Sequence, residues 1–571
     1  MEGLLSDWVR RNGRYTTTMT YKDFLPDRRL GRRASQFAQA LTTLRTASVA
    51  KLASTWAEQI AFYRFLSNER VRLSDLIDAL GAACVRACSH ATTTTNAGEA
   101  LESGRSSERS SERSSGPKHL LLIQDTTELN FQSHAGRIQP GSGLGVISDG
   151  ESLGFLLHPT LVVEAATGWA LGFADVRCWA RPPAAPNRDP RQYQRLPIEA
   201  KESYRWIEAT QAASKRLREL DRCDASEPVG TKPVGTKPVD GLESLGEQAG
   251  EHTLLTIVAD READIYDLMA RLPSGLHTGT HTGTQTGTHM VIHMVIRAHH
   301  NRRIEEAPGK LDAFLKEQPV AGRRTVWLRG DVRRKTSGRE ALLEYRFGRV
   351  HVLRPNTCLD PNAPEQLPVY ALQIREAPPA VSDGKAPGKA PICWKLLTTH
   401  PIESMEEAVQ VGEWYRQRWH IEQVFRLLKT KGLDVEASEL ETGTALMRLG
   451  VMALGAALDV MRLMMAEREA PEREAPERSV AAQPLGHVFT ASQQACLQRL
   501  SNQLEGTTRK QQNPHRGGTL SWAAWVIARL GGWKGYRSQR GAGPTTYHEG
   551  LRRFALIYEG WHLSNHDLYK P

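Results

Sequence analysis

Three observations predict an α/β fold. Apolar runs at 119–131 (HLLLIQDTTELNF), 155–165 (FLLHPTLVVEA) and 168–179 (GWALGFADVRCW) follow one another at strand length, with a Thr-Gly turn at 167–168. A helical stretch, KESYRWIEATQAASKRLREL at 201–220, then precedes a fourth buried run, LLTIVAD at 254–260. The first and fourth runs each carry an aspartate where the apolar residues stop, Asp125 and Asp260. Three strands, a helix and a further strand is the order of a ribonuclease H-like core.

Size and charge set the frame. At 571 residues there is room for three or four domains, each with an ample core. A net charge of +10 and a pI near 9.2 favour a polyanionic partner. The seven cysteines are scattered, as reduced thiols would be, and Cys84 with Cys88 lack the second pair a structural zinc needs. Charges begin at Glu2, so no signal-peptide core is present, and the apolar run Leu449–Leu458 is too short to span a bilayer. No membrane partner and a cytoplasmic place are expected.

The first 70 residues hold twelve Lys/Arg against six Asp/Glu. In DRRLGRRASQFAQAL, Asp27 reads as an N-cap, and Arg28, Arg29, Arg32 and Arg33 crowd the first turns of the helix. Cations there oppose the macrodipole, a cost that makes sense where an anion is met. TWAEQIAFYRFLSNERV, at 55–71, is a second helix. We take 1–90 as one helical domain and the Ser/Thr/Arg-rich 91–117 as a loop. Short tandem duplications recur, including VGTKP at 229–238, HTGT-type units at 277–288, GKAP at 384–391 and EREAP at 467–476. They read as surface-loop expansions, which add little closure entropy. HMVI, twice at 289–296, is the exception and belongs to a strand.

Asp260 opens ADREADIYDLMARL, which continues as a helix. A lone aspartate at a strand end is ordinarily a cap. Two of them, with a glutamate on a later helix, ask for another reading. Between Arg297 and Trp394 the alternation of RTVWLRG, EALLEYRFGRVHVL and LPVYALQIREA marks a β-rich insertion, about 298–393.

The glutamate is Glu422, in EWYRQRWHIEQVFRLLKTK at 413–431. On a continuous helical wheel Tyr415, Arg418, Glu422 and Lys429 share an arc of about 60°, opposite Ile421, Val424, Leu427 and Leu428. One carboxylate among cations and aromatic rings suits a group that holds a metal while its neighbours grip phosphate.

The spacing Y-x2-R-x3-E-x6-K resembles the signature of the IS-four family of bacterial DDE transposases. DREAD around Asp260, the DRR at Asp27, similar to the family's D-x-R-R, and the insertion before Trp394 resemble that family too. The resemblance implies a cut-and-paste transposase with a ribonuclease H-like catalytic core at 118–465. Asp125, Asp260 and Glu422 would hold two Mg²⁺, or Mn²⁺, ions. Tyr415, Arg418, Lys429, Trp394 and Arg297 would contact DNA at the cut, Trp394 by stacking a flipped base. Arg28, Arg29 and Arg32 would bind transposon ends. Beyond a linker at 466–485, a helical domain at 486–571 containing GTLSWAAWVIARLGGW would form a homodimer through Trp522, Trp525, Val526 and Leu530. The implied partners are transposon-end and target DNA, in a bacterial nucleoid. A non-catalytic DNA-binding relative and a purely hydrolytic nuclease are the rival readings.

Overall fold

The computed structural model describes residues 21–97, 118–139, 141–182, 190–224, 253–272, 290–328, 338–377, 391–429, 432–468, 483, 485–535 and 541–565. The duplications at 229–238 and 277–288, most of those at 384–391 and 467–476, and most of the 466–485 linker lie outside them.

One mixed sheet runs through the molecule. Its strands are β1 (His119–Gln124), β2 (Thr127–Asn130), β3 (Gly145–Val146), β4 (Leu153–Glu164), β5 (Ala170–Trp179), β6 (Leu254–Ala259), β7 (Val291–Arg297), β8 (Gly322–Leu328), β9 (Arg339–Leu353), β10 (Gln366–Glu376) and β11 (Cys393–Thr398). From one edge the order is β5-β4-β1-β6-β7-β11-β10-β9-β8. β6 and β7 run parallel to β1, and the other pairings are antiparallel. β1 is a buried apolar run, as a strand flanked on both sides and covered on both faces must be.

The α-helices longer than five residues are, among the described residues, α1 (Arg28–Leu44), α2 (Trp56–Ser67), α3 (Leu73–Ala97), α4 (Tyr204–Asp224), α5 (Tyr266–Arg271), α6 (Leu311–Glu317), α7 (Met405–Gln417), α8 (Trp419–Leu428), α9 (Gly443–Arg468), α10 (Ala491–Leu504), α11 (Leu520–Leu530) and α12 (Pro544–Asn565). α3 and α4 pack on β5, and Gly172 allows the close approach of α3, since a Cβ there would lie 2.8 Å from that of Cys84. α9 is apolar on nearly every side because it is touched all round, by α1, α2, α3, α8, α11 and α12 and by β4 and β5. Among the described residues it is the helix long and apolar enough to cross a membrane, and 94% of its apolar window is buried inside the protein.

Four expectations change. The run 119–131 is two strands, β1 and β2, although both keep one register along β4. That register sets Asp125 opposite Pro159, which has no amide hydrogen to donate, and the ladder lapses there. α3 runs to Ala97, seven residues into the expected loop. The DREAD stretch after Asp260 is a 3-10 turn, Arg261–Ala263, separate from α5. The strands of the β-rich insertion join the central sheet: β11 pairs with β7, and β10, β9 and β8 follow it. Finally, the face of α11 expected to meet a second subunit is covered by this chain. Trp522, Trp525 and Val526 are buried, with α9, α10 and α12 packed on the helix.

Candidate active site

Sheet register alone brings the first charged groups together. Carried two residues past its last pair, the β1–β6 register sets Asp125 beside Asp260. One residue past the β6–β7 ladder, Asp260 lies beside Arg297. Three neighbouring parallel strands thus end at one level in Asp, Asp and Arg, and the Arg297 guanidinium is 3.7 Å from Asp260 Oδ1. Next along, β11 sets Leu396 against Arg297, which places Trp394 two residues beyond on the same strand.

The fourth wall is α7 with α8. Ser404 and Glu407 form a capping box that fixes the start of α7. At its other end the helix tightens. Arg418 N–H donates to Tyr415 O at 3.0 Å and Ile421 N–H to Arg418 O at 3.2 Å, both three residues apart. This joint, not a continuous rod, delivers Arg418. Its guanidinium lies 3.0 Å from Asp125 Oδ2 and 3.7 Å from Asp260 Oδ2, and donates to Glu422 Oε1 one turn on. The three carboxylates, from β1, β6 and α8, therefore converge on one cation. Tyr415, buried, donates from its hydroxyl to Asp260 Oδ1 at 3.2 Å. Its ring meets the edge of Trp394 with centroids 5.1 Å apart.

Electrostatics follow from this crowding. Burial raises the Asp125 carboxyl to about 6 against the pull of Arg418 and of the Thr126 amide, with Glu262 and Glu422 pushing it further up. Burial and Asp260 push the Tyr415 hydroxyl up to about 12. Burial works to lower the Arg418 pKa, but Glu422, Tyr415 and Asp260 hold it above the ordinary value. Oxygen donors on three converging carboxylates fit hard divalent cations.

One side chain expected beside the carboxylates, Lys429, does not join the cluster, and the arginines expected at transposon ends lie apart from it on α1. α8 ends at Leu428, and Lys429 turns away to lie 3.7 Å from Glu436, so the four-residue arc drawn on a continuous wheel does not form. Arg28, Arg29 and Arg32 lie exposed on α1, behind an Asp27 cap that accepts from the Arg29 and Leu30 amides. Sequence reasoning missed Glu262. It sits two residues past Asp260 on the 3-10 turn that Asp260 caps, and burial followed by Asp260 raises its pKa. A second acidic side chain inside the DREAD string was the available signal. It also missed Arg181, which binds Glu202 at 2.7 Å and carries charge along the same rim.

Comparison with known families adds two matches. Residues 19–71, which hold all of α1 and α2, match the family described as transposase DNA-binding. Residues 236–458 match the family described as transposase DDE domain, a span that holds Asp260, Arg297, Trp394, Tyr415, Arg418, Glu422 and Lys429. Asp125 precedes that span and reaches the site through β1. A DDE domain implies a ribonuclease H-like core and divalent-metal chemistry. A transposase DNA-binding region followed by a transposase DDE domain, in a mixed α/β chain, supports placing this protein among the DDE transposases, with DNA as its partner.

Proposed function

We propose that the chain is a cut-and-paste transposase of the IS-four type, which nicks transposon ends, closes them as hairpins and joins them to target DNA. The observation that carries this is the convergence of Asp125, Asp260 and Glu422 on Arg418, beside Tyr415 and Trp394. Asp125, Asp260 and Glu422 would hold two Mg²⁺ or Mn²⁺ ions. When bound, such a pair supplies Lewis-acid stabilisation of the attacking and leaving oxygens of an in-line displacement. Among the described residues Arg418 is the cation shared by all three carboxylates, so it is placed to turn to the scissile phosphate once their charge is otherwise met. Tyr415 orients Asp260 and offers its hydroxyl to the same phosphate. Trp394, half-buried and braced by Tyr415, offers a ring face to an extruded base. No covalent enzyme intermediate is needed, since water and then the freed 3′-hydroxyl serve as nucleophiles. α1 and α2, with Arg28, Arg29 and Arg32 exposed, would grip the ends.

The test is to incubate purified protein with Mg²⁺ and DNA bearing the terminal repeats that flank its gene. Excised, hairpin-ended DNA is expected. Binding without any strand breakage would favour the non-catalytic reading, and breakage without hairpins or joining the hydrolytic one.

A further inference from the structure

Behind Asp260 lies a cavity of about 340 Å³ that the catalytic proposal does not use. It sits where the chain leaving β7 meets the end of β9 and the start of α6. Leu311 N–H donates to Arg302 O, and Leu353 N–H donates to Arg303 O. Lys201, Arg303, Lys310 and Arg354 line it, with Arg302. Two carboxylates, Asp264 and Asp267, stand against these five cations, and Asp264 is already spent. It accepts from Arg302 Nε at 2.6 Å and from the amides of His299 and His300 at 2.7 and 2.9 Å.

The backbone pairing makes the imbalance sharper. Arg303 and Lys310 are directly opposite one another in an antiparallel bridge, both exposed. Among the described residues neither side chain makes an ion pair or hydrogen bond. Like charges set opposite each other across a bridge destabilise it, and an anion lodged between them removes that cost. The cavity is also tethered to the site, because Arg297, beside Asp260, is six residues from Arg303. Six extended residues span at most roughly 20 Å, or about six base-pair rises at 3.4 Å each.

We propose that this cavity seats a backbone phosphate of the DNA strand that crosses the active site, held between Arg303 and Lys310. The inference rests on the transposase reading and adds a second DNA contact to it, separate from both the carboxylate cluster and α1. Duplex affinity of the full chain, measured against salt concentration, tests it. Each phosphate contact contributes about 0.9 to the slope of log affinity on log salt. An Arg303→Gln/Lys310→Gln protein, having given up that one phosphate, should therefore lose about 0.9 from that slope. Its affinity at low salt should fall by roughly tenfold, while the charge-conserving Arg303→Lys/Lys310→Arg protein should recover both. Each single glutamine variant should lose about half as much, and thermal melts identify any variant whose fold has changed. An unchanged slope in folded glutamine variants overturns the proposal. So does saturable binding of a free nucleoside triphosphate that these variants abolish while the DNA slope stays as in wild type. If wild-type protein itself shows no salt-dependent DNA binding, the transposase reading fails along with it, a different result from an unchanged variant.

Discussion

Asp125, Asp260, Glu422 and Arg418 share a small volume in which the acids alone would repel and the arginine alone would be stranded. Replacing any of the three acids by alanine should leave DNA binding in place and reduce cleavage by roughly two to four decades, the scale found when a preorganised electrostatic group is removed. A radiolabelled-end cleavage assay reads this directly, and an alanine variant that nicks at the wild-type rate would remove its residue from the site. A different group of residues contributes to acid sensitivity. His119 Nε2 lies 2.7 Å from Thr256 Oγ1, which also meets His400 Nε2 at 2.8 Å, with Trp414 and His293 against the rings. Burial, then the charge of His293, lowers the His119 pKa from 6.5 to about 4, and burial with its histidine neighbours lowers His400 to about 2. The unfolded chain therefore binds more protons than the native one below pH 6.5. Stability is full above that pH and falls as pH drops toward 4, by about 3 kcal/mol from His119 alone. Urea midpoints between pH 7 and pH 4 should show the loss, and His119→Gln should lessen it by the share of that one imidazole, leaving the part that His400 contributes. An equally steep slope in that variant would place the acid sensitivity elsewhere.

The strands were legible because buried parallel strands are continuous apolar runs, and a run that stops at an aspartate says where the chain leaves the sheet. What was not legible has causes distant in sequence. The lapse after Gln124 is set by Pro159 on the facing strand, and the joint at Arg418 by local tightening that a helical wheel assumes away. The α11 stripe looked free because its cover, α9 and α12, is invisible from the stripe itself. The HMVI repeat was readable, since both copies feed β7. Met290 and Ile292 of the first copy, like Met294 and Ile296 of the second, are buried. Removing four residues shifts the strand by an even number and keeps the same faces inward. A protein lacking residues 289–292 should fold with the same circular dichroism and a lower melting temperature, reflecting the lost burial of Met290 and Ile292. A chain that does not fold would show that both copies are needed.

At the scale of the molecule, α9 joins everything: the helices with the expected end-binding arginines, the joint with Arg418 and the last helices all lean on it, and the buried core is continuous across them. With the α11 face covered, any homodimer at paired ends would use another surface, and whether labour is divided between subunits can be tested without knowing which. Mixing an Asp260→Ala protein with an Arg28→Ala/Arg29→Ala protein should restore part of the cleavage that neither shows alone, if each subunit cuts the end its partner holds. No recovery where mixed dimers demonstrably form would mean that each cuts its own. Arg45 adds a last point. It leaves α1 in a left-handed conformation, bonds through its side chain to Ala456 O and sits 3.9 Å from Asp459 on α9, while its own carbonyl accepts from His548 on α12. The first and last helices described are thus latched side by side at one residue. In an optical trap pulling between these two helices, the load would reach that latch before it reached any strand. The N-terminal helical module should then peel off at low force, with the sheet still intact and rupturing later as a separate event.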